Sequence, residues 1–239
     1  GIHSCASDTA APSGFTCPTF SEGALINTGS VSLGGTSIRK TNGVNLEGGS
    51  ALVIGGSVDG GVINAGPGTS SSLTAATLQS SGVRSAPTVL IDPYQSVNSN
   101  QATPRGPVVI GPAPSTVDST DPGYSFINRG TIQAAPIDAQ VSAMAMAIRG
   151  NSTANYTCLS AVVGSCASVD GNGNAGGGLL NTGTISAAAA TNQAQTVANP
   201  PTGLDQFVTA TALDVGGFAT VPNIEVKSEA IDSTNNTPA

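Results

Sequence analysis

Tryptophan is absent from this 239-residue chain, histidine occurs once, aromatic residues make up 3% and charged residues 9%. Each shortage excludes something. A charged fraction far below the roughly 25% of ordinary globular domains leaves the surface to hydroxyls and amides, as is common in proteins displayed outside cells. With two lysines, Lys40 and Lys227, five arginines and a formal charge of −7, no basic patch exists to neutralise phosphates, so nucleic acid is not an expected partner. The single histidine, His3, leaves Ser-His-Asp and Cys-His catalysis without a placed base. No apolar run reaches the ~20 residues of a transmembrane helix, and the N-terminus lacks the charged and apolar regions of a signal peptide. If exported, the chain is expected to be a mature or trimmed product. Disorder would suit so polar a composition, but an apolar content of 38%, gathered in β-branched clusters, argues for a core.

Cysteine is sparse and paired. Cys5 with Cys17 and Cys158 with Cys166 would each close a short loop, the local choice among three possible connectivities, and an even count in near pairs fits an oxidising compartment. Zinc is disfavoured, because there is no CxxC and no second histidine. No cofactor is expected.

What the sequence does contain is a refrain of two phrases. The first is an apolar pair, Asn, any residue, and Gly: "LINTGSV" around Asn27, "VINAG" around Asn64, "FINRGTI" around Asn128 and "LLNTGTI" around Asn181. The second is a short apolar run ending in Gly: "ALVIGG" from Ala51, "PVVIG" from Pro107, "AMAIRG" from Ala145 and "ALDVGG" from Ala212. The phrases alternate along the chain while the distances between them vary. Fixed phrases with elastic connections are what stacked repeats with free corners give. Both phrases are β-branched and Gly-bounded, which predicts strands. "QVSAMAMAI", Gln140 to Ile148, is also read as a strand, with strict alternation of its two faces. In stacked parallel strands equivalent side chains sit ~4.8 Å apart, so Asn27, Asn64, Asn128 and Asn181 are expected to form an amide ladder or to occupy corners, with the following glycine taking positive φ.

The stretches "ALVIGGSVDGGVINAG" (51–66), "GGGLLNTGTISA" (176–187) and "TALDVGGFATVPNIEVKSEAI" (211–231) resemble the repetitive passenger regions of autotransporter-type and related surface proteins of Gram-negative bacteria. The resemblance implies a right-handed parallel β-helix at the bacterial cell surface or outside the cell, acting in adhesion, aggregation or coating. The chain departs from that pattern in having no C-terminal membrane barrel, which implies a fragment or a separately assembled protein. Its last copy, "IEVKSEAI", also lacks Asn-x-Gly, which suggests an end or variant coil.

The expected organisation is an N-terminal disulfide-closed segment, 1–20, and one all-β solenoid, 21–239. Insertions are expected at about 67–124, where eight of the fifteen prolines cluster, and at 150–178, which carries the Cys158 loop. Proline is unsuited to central strands, so the first insertion reads as long loops or an edge excursion. Such excursions are where partners are expected to bind.

Sharper motifs are few. "GNGNAG", Gly171 to Gly176, matches GxGxxG but precedes a strand phrase instead of a helix, which disfavours a dinucleotide site. Asp170, Asn172 and Asn174 have calcium-loop spacing and are candidate ligands, although Asn181 stands where such a loop wants a bidentate Glu. Asn151 and Asn155 are sequons. Asp118 with Asp121, or Asp59 with Asp92, are the conceivable carboxylate pairs of a β-helical polysaccharide hydrolase or lyase, the alternative function; they read more simply as solvated turn residues. The expectation is therefore a non-enzymatic structural or adhesive surface protein with a glycan or cell partner, whose open ends permit assembly into filaments or a layer.

Overall fold

The structure is a computed structural model. It describes residues 24–27, 30–33, 50–64, 77–80, 87–95, 103–104, 106–119, 121–134, 143–188, 209–227, 231–232 and 237–238, with no side-chain account of 30–33, 77–80, 94–95, 103–104, 231–232 and 237–238. Among these residues every regular element is a strand. In chain order they are β1 (Leu25–Asn27), β2 (Ser30–Leu33), β3 (Leu52–Ile54), β4 (Val62–Asn64), β5 (Thr77–Ser80), β6 (Val89–Ile91), β7 (Tyr94–Gln95), β8 (Thr103–Pro104), β9 (Val108–Ile110) and β10 (Phe126–Asn128). There follow β11 (Thr131–Ala134), β12 (Ala143–Ile148), β13 (Thr157–Leu159), β14 (Leu179–Asn181), β15 (Thr184–Ala187), β16 (Ala210–Val215), β17 (Ala219–Thr220), β18 (Ile224–Val226), β19 (Ile231–Asp232) and β20 (Thr237–Pro238).

Among the described residues no helix is long and apolar enough to cross a membrane; short β-branched runs cut by Gly, Pro and Asn satisfy their backbone groups by pairing as strands. The strands form four parallel sheets visited in a fixed order. The first sheet is β1-β4-β10-β14-β18, the second β2-β5-β11-β15, the third β3-β6-β12-β16, and the fourth β9-β13-β17, extended by a parallel bridge from Val58 to Ile110. Each strand therefore pairs with its counterpart from the previous and the next passage of the chain. The rows stay in register across the first sheet: Leu25, Val62, Phe126, Leu179 and Ile224 form one row, and Asn27, Asn64, Asn128, Asn181 and Val226 another. Two small antiparallel ribbons, β7-β8 and β19-β20, stand apart.

A single apolar cluster draws on all four sheets: Val62, Phe126 and Leu179 from the first, Ile132 and Ala134 from the second, Leu52, Ile54, Val89, Ile91, Met146 and Ile148 from the third, and Val108, Ile110 and Leu159 from the fourth. The four sheets thus share one apolar core. Each fully buried aliphatic side chain there contributes about 1.5–3 kcal/mol.

Polar rows must be satisfied inside such an interior. Asn27 Nδ2 donates to Asn64 Oδ1 at 2.9 Å, Asn64 Nδ2 to Asn128 Oδ1 at 2.7 Å, and Asn128 Nδ2 to Asn181 Oδ1 at 2.6 Å. Asn181 Nδ2 turns to the carbonyl of Gly183. These asparagines are strand residues, not left-handed corners; the described non-glycine residue with positive φ is Phe218. Gly183 also differs from expectation, since its φ is not positive. It is glycine because a Cβ there would run into the carbonyl of Gly130 and meet the carbonyl carbon of Arg129 at 2.6 Å.

Three further readings need correction. "PVVIG" is not a copy of the second phrase: Val108–Ile110 lies in the fourth sheet, while the third-sheet strand of that passage is Val89–Ile91, from "TVLID". The stretch 67–124 is not one excursion, because β5, β6 and β9 are full members of the sheets. Its prolines flank these strands (Pro87, Pro93, Pro107, Pro112), where a missing N–H removes no ladder hydrogen bond. In β12 strict alternation fails: Ala145 and Met146, consecutive residues, both belong to the core cluster, although the register with β16 keeps one offset from Ala143↔Ala210 to Ile148↔Val215. The Cys5–Cys17 pair and the segment 1–20 lie outside the described residues.

Replacing Asn128 by Ala strips Asn64 of its acceptor and Asn181 of its donor inside the core. The expected loss is about 2–4 kcal/mol, read as a lower urea midpoint, with a smaller loss for Asn27→Ala at the half-buried end of the row.

Candidate functional site

Outward-facing positions of the first sheet are also apolar, and they require a cover. Ile63, Ile127 and Leu180 form a row in register and, with Ala113, make a second buried cluster onto which Val117 and Tyr124 pack. The cover is the strap 111–124, the last part of the proline-rich stretch. It is anchored by Gly111 N–H to the carbonyl of Val58 and by reciprocal hydrogen bonds between Ala113 and the Gly123–Tyr124 segment. Pro114 opens a turn in which the amides of Val117 and Asp118 donate to its carbonyl.

The strap carries two carboxylates inward. Asp118 is fully buried and Asp121 nearly so. Arg129, whose side chain is 3% exposed, forks between them: Nη1 lies 2.5 Å from Asp118 Oδ2 and Nη2 lies 2.9 Å from Asp121 Oδ2. Lys227, just beyond β18, reaches Asp121 Oδ1 at 2.5 Å, and the Asp121 amide donates to Asp118 Oδ1. Two anions thus meet two cations. Burial pushes the Asp121 carboxyl upward, but the hydrogen bonds and charges of Lys227 and Arg129 outweigh it and hold the group below the usual carboxylate range. Beside this cluster the Tyr124 hydroxyl donates to Glu225. Burial, the hydrogen bond to Glu225 and its negative charge push the phenol up to about 12.

The expectation that Asp118 and Asp121 are solvated turn residues is therefore overturned, and the structure brings them together. Arg129 was missed by the sequence reading, yet a signal existed: it occupies the variable position of the refrain, where the other copies have Thr28, Ala65 and Thr182, in a chain that spends few charges. Asp59 and Asp92 sit elsewhere. Asp59 is exposed in the turn before β4, and Asp92 follows β6 with its amide on the carbonyl of Ile54.

A second cover lies on the fourth sheet. Cys158 occupies the outward row between Val109 and Thr220, is fully buried, and is bonded to Cys166. The bond fixes the return of the loop that follows β13. Within that loop Ser160 Oγ donates to the carbonyl of Ser165 and accepts from the amides of Val162 and Ala167. Further out, Asp170 Oδ1 accepts from the amides of Asn172 and Asn174, and Oδ2 from Asn174 Nδ2. These bonds, led by the Asn174 side chain, hold the Asp170 carboxyl below its ordinary value. The three calcium candidates are thus gathered around one carboxylate whose oxygens face donors, and Asn174 offers nitrogen where a cation wants oxygen. Among the described residues no group of three His, Cys, Asp or Glu side chains could hold a metal ion. The GNGNAG stretch is the exposed tip of this loop and leads into β14.

Arg129→Met leaves buried carboxylates without their main counter-charge and is expected to cost about 3–5 kcal/mol in urea unfolding. Because the folded Asp121 pKa lies below its unfolded value of ~3.9, its stabilisation is complete above that value and is lost as pH falls through the folded pKa; Asp121→Asn flattens the acid limb of the stability profile. In the alkaline range the sign reverses. Tyr124 stabilises below ~10 and loses that contribution as pH rises toward 12, and a phenolate titration of the protein against Tyr124→Phe places its midpoint near 12, falling in Glu225→Gln.

Compared with protein-family models, with curated proteins and with solved structures, the chain matches none.

Proposed function

We propose that the chain is a section of a right-handed parallel β-helix that serves as a non-enzymatic structural and adhesive element at the surface of a bacterial cell. The observation that carries this reading is the in-register stacking of equivalent strands in four sheets, bound along its length by the asparagine row. Such an arrangement resists bending along the stack, because each passage is hydrogen-bonded to the next at every strand. Loops leave at the corners, where their length does not disturb the stack. The low charge and amide-rich composition suit an exposed location.

Burial of the carboxylates supports a non-enzymatic role. Acid and base groups acting on a glycosidic bond must both be open to substrate, whereas the Asp118 and Asp121 side chains are no more than 5% exposed and engaged by Arg129 and Lys227. The last described strand of the first sheet leaves Ile224 and Val226 exposed, at 48% and 74%. That end can receive further passages or another copy, which is the route to filaments or a layer.

Immuno-electron microscopy of the producing cells is expected to place the chain in the outer layer, and purified protein is expected to adhere to cells or polysaccharide while the polymer keeps its length. Release of reducing or unsaturated sugar ends, abolished by Asp118→Asn or Asp121→Asn, would establish the polysaccharide-degrading alternative instead.

A further inference from the structure

The corner between the third and fourth sheets carries a row of rings. Val108, Thr157 and Ala219 are in register, and the amides of Val108 and Thr157 donate to the carbonyls of Tyr156 and Phe218 at 2.8 and 3.0 Å. The residues immediately before them, Pro107, Tyr156 and Phe218, therefore occupy one position in three successive passages. Pro107 and Phe218 are exposed and Tyr156 is half-buried. In a chain with 3% aromatic residues, two in register on an outer corner are a concentrated resource.

Phe218 stands there against its own backbone preference. Its φ is +56°, with 53% of its surface in solvent. Glycine takes that conformation without steric cost, and the two preceding residues, Gly216 and Gly217, are glycines. A bulky side chain held in the left-handed region with about half of its surface left in solvent points to a use for the ring. The ground around it is kept low: a Cβ at Gly150 would meet the Phe218 carbonyl carbon at 2.8 Å and Cβ at 2.9 Å, and one at Gly216 would meet Arg149 Cγ at 3.1 Å. Arg149, lying over Gly216, places Nε 2.9 Å and Nη2 2.7 Å from Asp214 Oδ2. This ion pair is about one-third exposed on each side.

We propose that the Pro107–Tyr156–Phe218 row, with the Arg149–Asp214 pair beside it, binds an extended neutral polysaccharide lying along the stack. The electron-poor C–H face of a sugar ring complements the negative face of an aromatic ring. Rows ~4.8 Å apart present rings to successive units of a linear polymer, while Arg149 and Asp214 offer planar donors and an acceptor to hydroxyl groups. The pair is neutral in sum, so it does not select an anionic chain. A protein partner would need about 800 Å² per side, more than one corner row provides. The site rests on the adhesive reading and gives it a location.

Affinity electrophoresis in gels containing xylan, mixed-linkage β-glucan or dextran tests it. Retardation of the unmodified protein by at least one of these is expected. Phe218→Gly, which removes the ring and suits the backbone, is expected to keep or raise the urea midpoint while weakening retardation by about tenfold or more, the scale of losing a central aromatic contact. Tyr156→Ala is expected to weaken it as well. Retention of full binding by Phe218→Gly would overturn the site and leave the adhesive reading standing, as would loss of self-association in place of polysaccharide binding. Absence of retardation by all three polymers would overturn the site, with surface location then judged separately by microscopy.

Discussion

Register is the constraint on which the rest of this structure depends, and the asparagine row is where it is enforced. A strand of three residues pairs weakly and can slip, and a slip by one would carry its inward apolar residues to the other face. A slip would also leave buried amides unpaired. The cost of an unmet donor and acceptor in the core far exceeds the modest gain from a hydrogen bond that is made. The amides of Asn27, Asn64, Asn128 and Asn181 thus act against misalignment more than for stability in itself. Because the first sheet is aligned, Phe126 falls over Val62 and Leu179 over Phe126, and the other three sheets have a fixed start in each passage.

From that alignment come two faces with different demands. The inner faces satisfy one another. The outer faces of the first and fourth sheets still carry apolar rows, and the chain covers them by different chemistry: the first by a proline-containing strap bound through Arg129 and Lys227, the fourth by a loop tied through Cys158 and Cys166. Both covers come from the irregular connections. Segments that read as ornament are parts of the packing.

The strand character and the Asn positions were legible because each depends on local sequence: β-branched residues beside Gly and a recurring polar residue among apolar ones. What sequence could not supply was the equivalence of unlike strands. "TVLID" and "ALVIGG" share a sheet while "PVVIG" does not, since sheet membership depends on how many residues each corner absorbs. The ion cluster was hidden for a related reason. Asp118 and Asp121 are i, i+3 in a turn-like segment, and only the return of the strap over β10 brings Arg129 beneath them and Lys227 alongside. Gly183 was recognised as necessary for a reason other than the real one: crowding by Gly130 and not φ.

The asparagine row also has a direction. From Asn27 to Asn128 each Nδ2 donates toward the later passage, so these amide dipoles add head to tail and each bond polarises the next. At the far end the row changes from Asn181 to Val226, whose side chain has neither donor nor acceptor. The two directions along the described stack are therefore chemically unlike, and that polarity is written into the fold by one row of side chains.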